Sequence, residues 1–308
     1  MIRGLAITPP VLGRISIGRV IERNGKRLPE KDDQFTLTSQ VQSREGWIPH
    51  PYDAHLRSQA ENGKIRSIPV MMLFNEPDLN FRAEYSMFDR KTGRPSCVGD
   101  GALCRRSTAS GMEQLPCPSP SHCELGSDGR CKPYGRLNVR VGEDTGLGSF
   151  IFRTTGFNSI RTILARLNYY QAVSGGLLAC LPLELKIRGK STTQSHRAAI
   201  YYVDLDVREG MTLEQAIEQA KALDEQRRST GYDQQALDQA ARAGFANAEF
   251  EDDGEDIPDI MSEFFLEETG YNEKLNGESG GVVGSANLSE KLQKKSEAVV
   301  VQVTSNTH

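Results

Sequence analysis

The chain has 308 residues, 25% of them charged and 37% hydrophobic, with a formal net charge of −4, enough length and apolar content for one large domain or two modest ones. No apolar run approaches the ~20 residues that a bilayer-spanning helix needs, which argues against a membrane protein. Met1 to Pro10 carries a single Arg, ends in two prolines and does not resemble a signal peptide, so a cytoplasmic location is expected.

Along the chain, Leu12 to Ile21 is rich in Ile and Val, Asn24-Gly25 marks a tight turn, and Asp33 to Val41 puts Phe35, Leu37, Ser39 and Val41 on one face. This pattern predicts a β-hairpin. Trp47 to Tyr52 holds Pro49 and Pro51 and reads as loop. Nearby, His50, Asp53 and His55 form the only His/Asp cluster, H-x2-D-x-H. No further ligand or nucleophile stands close, so turn residues with satisfied hydrogen bonds explain it better than a metal or catalytic site. Ile65 to Phe74 and Asn80 to Phe88 read as strands joined by a turn at Asn75 to Asp78, and Leu137 to Val141 as another alternating strand. The stretch from 95 to 135 therefore reads as an insertion in a sheet.

Further on, SFIFRTT precedes a helix capped by Asn158 or Ser159, whose Ile160, Ile163, Leu164, Leu167 and Tyr170 recur at helical spacing and form a core face. Leu181 to Arg188 and Arg197 to Val207 are closing strands around a polar turn, Gly189 to His196. Its Gly-Lys-Ser lacks the first glycine of a phosphate loop, since Glu184 stands there, which argues against a nucleotide ligand. Thr212 caps a helix through Gln226, and Asp233 caps another through Ala243. The expected fold is α+β: a strand-rich body over 1–210 with a Cys-rich zinc loop inserted at 95–135, a helical extension at 211–248, and an acidic tail over 249–308, largely without fixed structure.

Five cysteines, Cys97, Cys104, Cys117, Cys123 and Cys131, fall within 35 residues at the spacing C-x6-C-x12-C-x5-C-x7-C, embedded in Gly, Pro and Ser. So polar a segment cannot bury enough apolar surface to hold its own shape, and a covalent or coordinative link is expected. Structural Zn2+ takes four ligands, as four cysteines or three and a histidine. The preferred set is Cys97, Cys117, Cys123 and Cys131, with Cys104 or His122 as alternates. Labile disulfides and unliganded thiols are the rival readings. Catalytic zinc is disfavoured because no H-E-x-x-H or other His-rich set supplies an open site, and no other catalytic signature is present, so the chain does not read as an enzyme. Cys180, in GGLLACLPLEL, reads as a packed core thiol.

Charge is polarised. Residues 249–308 hold 14 acidic and 4 basic residues, whereas the preceding 248 hold 27 acidic and 33 basic. A basic body suits contact with nucleic acid or a DNA-processing protein. Arg105, Arg106, Arg130, Lys132, Arg136 and Arg140 are the candidate DNA- or partner-binding residues, although positive charge there also balances a thiolate-rich site. Glu249 to Glu268 has ten acidic residues and no Lys or Arg, yet keeps Ile257, Ile260, Met261, Phe264, Phe265 and Leu266. That pattern suits a partner-docking segment through Phe264 and Phe265, or a tail packed on its own domain.

PPVLGRISIGRV, NGKRLPEKDDQFTLTS, EYSMFDRKTGRPSCVGDG, the Cys-rich loop, GRLNVRV and GLGSFIFRTTGFNSIRTIL, in that order, resemble phage recombination directionality factors over roughly residues 8 to 205. Members of that family partner large serine integrases and turn integration into excision, and relatives on integrative elements are labelled metal-binding proteins. The resemblance implies a non-catalytic, zinc-containing accessory that binds an integrase, with Cys97, Cys117, Cys123 and Cys131 at the family's cysteine positions. Cys104 and the extended acidic C-terminal region depart from the pattern. A single-strand DNA-binding or replication accessory is the alternative, with Arg140, Phe150, Phe152 and Arg153 as stacking and phosphate candidates.

Overall fold

The computed structural model describes residues 10–23, 26–43, 46–126, 129–142, 148–191, 193, 199–245, 261 and 264. The turn at Asn24-Gly25, most of the turn at 192–198, Phe265 and the acidic tail other than Met261 and Phe264 lie outside them.

The expected hairpin forms from β1 (Val11–Arg23) and β2 (Lys26–Ser43). The segment read as loop after it is instead a short edge strand, β3 (Gly46–Pro49), followed by a helix, α1 (Pro51–Gln59). Proline causes no loss in either place: Pro49 ends an edge strand, and Pro51 sits at the first helical position, where its missing N–H would have had no partner. His50 is the cap, its Nδ1 accepting from Tyr52 N at 3.1 Å, and burial holds its pKa below the ordinary value, in keeping with a neutral acceptor. Asp53 is buried in the first turn of α1, accepting from Leu37 N at 2.8 Å and from Arg57 Nε at 2.6 Å. Asp53 and the backbone N–H of His50, which donates to Leu37 O at 3.0 Å, thus fasten α1 to β2, whereas His55 is exposed.

β4 (Ser67–Met71) and β5 (Phe81–Phe88) follow, and the expected turn between them contains a one-turn helix, α2 (Pro77–Asn80). Next come β6 (Pro95–Gly99), β7 (Leu103–Thr108), β8 (Gly111–Pro116), β9 (Lys132–Val141) and β10 (Ser149–Thr154). α3 (Phe157–Val173) starts after Gly156 rather than at Asn158 or Ser159. Both polar side chains serve tertiary partners instead: Asn158 accepts from Lys190 Nζ at 2.7 Å, and Ser159 Oγ from Val203 N at 3.0 Å. β11 (Leu183–Ser191), β12 (Ala199–Val207), α4 (Leu213–Ser229) and α5 (Gln234–Phe245) complete the described elements. Thr212 and Gln215 form a reciprocal capping box on α4, and Asp233 accepts from Ala236 N at 2.9 Å at the start of α5.

The strands form one branched sheet with a path β3-β2-β1-β10-β9-β5-β6-β7-β8 and a side branch in which β4 joins β9 to β11 and β12. Only the β1–β10 pair is parallel among the described strands. The core lies where the sheet meets α3, whose buried Ile160, Ile163, Leu167 and Tyr170 pack with Leu137, Val139, Val203 and Leu205. α4 adds Ala216 and Ala220 to this core, while α5 packs Leu237 and Ala241 against Leu73, Phe74 and Leu79. Cys180 is the buried thiol expected, held near Arg227 Nη1 at 3.2 Å.

Asn80 fixes the crossing from β4 to β5. Fully buried, it accepts from Leu73 N and Phe74 N at 2.9 and 3.0 Å and donates to the carbonyls of Phe74 and Glu76 at 2.7 and 2.9 Å. Asn80→Ala removes four hydrogen bonds to the backbone from a buried site and is expected to cost roughly 2–4 kcal/mol in urea unfolding, whereas Asn75→Ala, which removes the side-chain acceptor for Ala179 N, costs less.

Candidate functional site

The cysteine-bearing stretch was expected to be a loop, but most of it is a three-stranded antiparallel extension of the sheet, β6-β7-β8. Its first turn is closed by Asp100, whose carboxylate accepts from Ala102 N and Leu103 N at 2.7 and 2.8 Å; these backbone donors lower its pKa. The strand register supplies the order that composition did not show. Cys97 stands opposite Arg106, and Gly99 opposite Cys104, so Cys97, Cys104 and Arg106 share one face of the pleat.

The other three cysteines come to that face from the connection between β8 and β9. Cys117 N donates to Ala102 O at 2.8 Å, and its Sγ lies beside Gly99, where a Cβ would stand 3.0 Å from that sulfur and 2.6 Å from Cys104 Cβ. Cys123 and Cys131 meet over Gly126, whose added Cβ would stand 3.7 Å from Cys123 Cβ and 2.7 Å from Cys131 Cβ. Glycine at 99 and 126 is thus what lets the sulfur-bearing backbones approach. Arg106 bridges the two pairs, with Nη2 4.0 Å from Cys104 Sγ and 3.8 Å from Cys123 Sγ.

All six cysteines are free thiols. Burial first, then the neighbouring sulfurs Cys97, Cys117, Cys123 and Cys104, pushes Cys131 up to about 12. Burial and a hydrogen bond with Cys97 push Cys104 up to about 11. Arg106 is raised, chiefly by hydrogen bonding to Cys97. Five cysteines gathered near one guanidinium, with Cys104 and Cys131 held as thiols by raised pKa values, make a donor set suited in kind to a soft cation, which would displace those protons. The sulfurs are gathered rather than arrayed: among the described residues, no three His, Cys, Asp or Glu side chains stand in a metal-holding arrangement. His122 is exposed, in a short turn at Pro120–His122.

The candidate binding residues divide by location. Arg105 and Arg106 lie on β7, Arg130 is exposed before β9, and Arg140 is half-buried near the end of β9. Arg136 is buried, with Nη2 2.7 Å from Glu84 Oε2, and Glu84 also takes Arg82 Nη2 at 3.1 Å. Since Arg82 and Arg136 face each other across β5 and β9, Glu84 is what makes that pair of like charges tolerable. Burial pushes the Glu84 pKa upward, but the two guanidiniums outweigh it and hold the carboxyl below its ordinary value. Lys132 reaches Phe264, with Nζ 3.5 Å from its carbonyl oxygen and 5.7 Å from its ring centre. Phe264, expected to dock a partner, is 1% exposed between Phe88 and Tyr134, with ring centres 4.7 and 5.8 Å away. Phe150 and Phe152, the stacking candidates, belong to the core at 4% and 1% exposure.

The Arg82–Glu84–Arg136 ladder and the aromatic pocket were missed in the sequence. The only available signal was alternation on β5 and β9, which marks a strand without naming its partner.

A family pattern described as Gp3-like, recombination directionality factor-like, matches residues 12–208, from β1 through β12. The chain belongs to this recombination directionality factor-like family, a family of accessory, non-catalytic proteins. No curated protein and no solved structure matches the chain. Among the described residues, no helix is long and apolar enough to cross a membrane.

Glu84→Gln is expected to destabilise the body by about 2–4 kcal/mol at pH 7, because it removes the carboxylate charge that two facing guanidiniums share. The folded pKa of Glu84 is depressed, so its contribution is present above the ordinary value of 4.5 and is lost as pH falls through the folded value. Urea titrations of wild type and variant should therefore converge below pH 4.5, and a gap unchanged with pH would count against the ladder.

Proposed function

We propose that the chain is a zinc-binding accessory of phage or mobile-element recombination, which acts by binding an integrase or another DNA-processing protein. The observation that carries this reading is the gathering of Cys104 and Cys123 at Arg106, with Cys97 on the same face, Cys117 beside Gly99 and Cys131 beside Cys123 over Gly126, within the family-matched region. Cys97, Cys117, Cys123 and Cys131 would hold the ion, with Cys104 as the alternate ligand within the same cluster. When bound, zinc would cross-link β6 to the connection before β9, a link this polar segment lacks from its own packing. Arg106 would offset the surplus negative charge of a four-thiolate site.

Partner contact on this reading falls to Arg105, Arg130 and Arg140, which are exposed or half-buried, rather than to the buried Arg136. Single-strand DNA binding is less well supported, because its stacking candidates Phe150 and Phe152 are core residues. An integrase complex that persists after nuclease treatment would fit the proposed protein contact. A complex that disappears with the DNA would reverse that preference.

Elemental mass spectrometry of protein purified without a metal-affinity tag should find one zinc per chain. Cys117→Ser and Cys123→Ser should each lose it, and chelation of the wild type should lower the melting temperature by roughly 5–10 °C. Metal-free protein whose melting and proteolysis are unchanged in both variants would sink the zinc assignment.

A further inference from the structure

Four thiolates complete a tetrahedral zinc site, and this chain brings five cysteines to one face of the extension and the connection beside it. The fifth thiol is not at the margin. Cys104 lies on β7, the middle strand of the extension, and is 3% exposed. Its sulfur stands 3.8 Å from Pro116 O, the carbonyl joined to Cys117. Cys117 N donates to Ala102 O, which continues the β7–β8 pairing one step beyond Leu103 and Pro116. Cys104, two residues further along β7 than Ala102, therefore shares a face with Cys117. Both crowd one position on β6: a Cβ on Gly99 would stand 2.6 Å from Cys104 Cβ and 3.0 Å from Cys117 Sγ. Cys117 is half-buried, within reach of a small oxidant in solvent, and the buried Cys104 lies behind it.

We propose that Cys104 is a resolving thiol for the zinc site: a hydroperoxide oxidises the Cys117 sulfur, Cys104 attacks it, and the resulting Cys104–Cys117 disulfide takes a ligand from the ion and releases it. The inference rests on the zinc reading above and gives a use to the thiol that four-coordination leaves over. The Cys117 thiolate attacks the peroxide O–O bond, becomes a sulfenic acid and releases hydroxide. The Cys104 thiol then gives up its proton as its sulfur attacks the sulfenic sulfur, the S–O bond breaks, and water leaves. Each sulfur loses one electron, and the two electrons reduce the peroxide. Arg106, with Nη2 4.0 Å from Cys104 Sγ, favours negative charge on the attacking sulfur. The disulfide closes the β7–β8 hairpin on itself, whereas zinc would join β6 to the connection before β9. Oxidation therefore exchanges a long-range link for a local one, and a thiol reductant reverses the exchange.

The test uses the zinc-loaded full chain and hydrogen peroxide, with released zinc followed by the absorbance of 4-(2-pyridylazo)resorcinol and disulfides mapped by peptide mass spectrometry. Each zinc released should be matched by the loss of two free thiols, with Cys104 joined to Cys117, and dithiothreitol with added zinc should restore the starting state. Cys104→Ser should release zinc at least about tenfold more slowly at the same peroxide concentration, and its Cys117 should accumulate as sulfinic acid, which dithiothreitol does not reverse. A first disulfide that omits Cys104, or equal release from wild type and Cys104→Ser, overturns the proposal. A Cys104→Ser protein that folds but binds no zinc shows Cys104 to be a ligand and overturns it as well. Should Cys104→Ser fail to fold, the wild-type disulfide map alone decides. Wild type that carries no zinc overturns the zinc reading and this proposal together, whereas zinc-loaded wild type that keeps its metal after peroxide overturns this proposal alone.

Discussion

Hydrogen bonding by β9 is the constraint on which the rest of the structure depends. Lys132 to Leu137 pair with β5 along one edge, Gly135 to Val139 pair with β10 along the other, and Arg140 and Val141 pair with β4, so the long path and the side branch of the sheet meet on this one strand. A strand with partners on both edges is committed in register, because a slip of one residue would exchange its buried and exposed faces. That commitment sets Leu137 and Val139 into the core and Arg136 opposite Arg82, and it brings Lys132 and Tyr134 to the aromatic pocket. Cys131 directly precedes the strand. The cysteine cluster is therefore tied to the framework at its last member as well as through β6.

The cluster owes its character to a conflict between burial and charge. Cys97 and Cys104 are buried, and the other three are partly so, in a region where each thiolate would repel the next. Burial and the neighbouring sulfurs raise the pKa values of Cys104 and Cys131. Arg106 relieves part of the conflict from inside the cluster. A residue that composition suggests as a contact for phosphate is instead aimed at sulfur. Charge counted along a chain does not show which cations are available at its surface. Arg136 makes the same point, since a buried counter-charge already claims it.

The body and the acidic region are opposite in net charge, and the described residues of the acidic region, Met261 and Phe264, touch the body. Phe264 and Met261 extend the aromatic cluster of Phe88 and Tyr134, so residues beyond the family-matched region complete a pocket within it. α4 and α5 behave in a comparable way, packing on the main core and on the Leu73–Phe74–Leu79 patch. The described residues after β12 cover apolar surface of the body.

Local signals were legible wherever neighbouring residues decide the conformation. The β1–β2 hairpin, the apolar face of α3, the Thr212 and Asp233 caps and the packing of Cys180 can all be read from spacing and residue type, because each rests on contacts a few residues apart or on simple apolar burial. The order of motifs also marked the family. What could not be read depends on distant partners. Asn158 and Ser159 look like helix caps until Lys190 and Val203 claim them. The cysteine stretch looks like a loop because its residues have weak strand propensity; it is ordered by addition to the edge of β5, a long-range pairing that alternation cannot announce. Spacing alone likewise brings five sulfurs within 35 residues, whereas only the pleat of β6 and β7 puts Cys97, Cys104 and Arg106 on one face, since which side chains share a face follows from register.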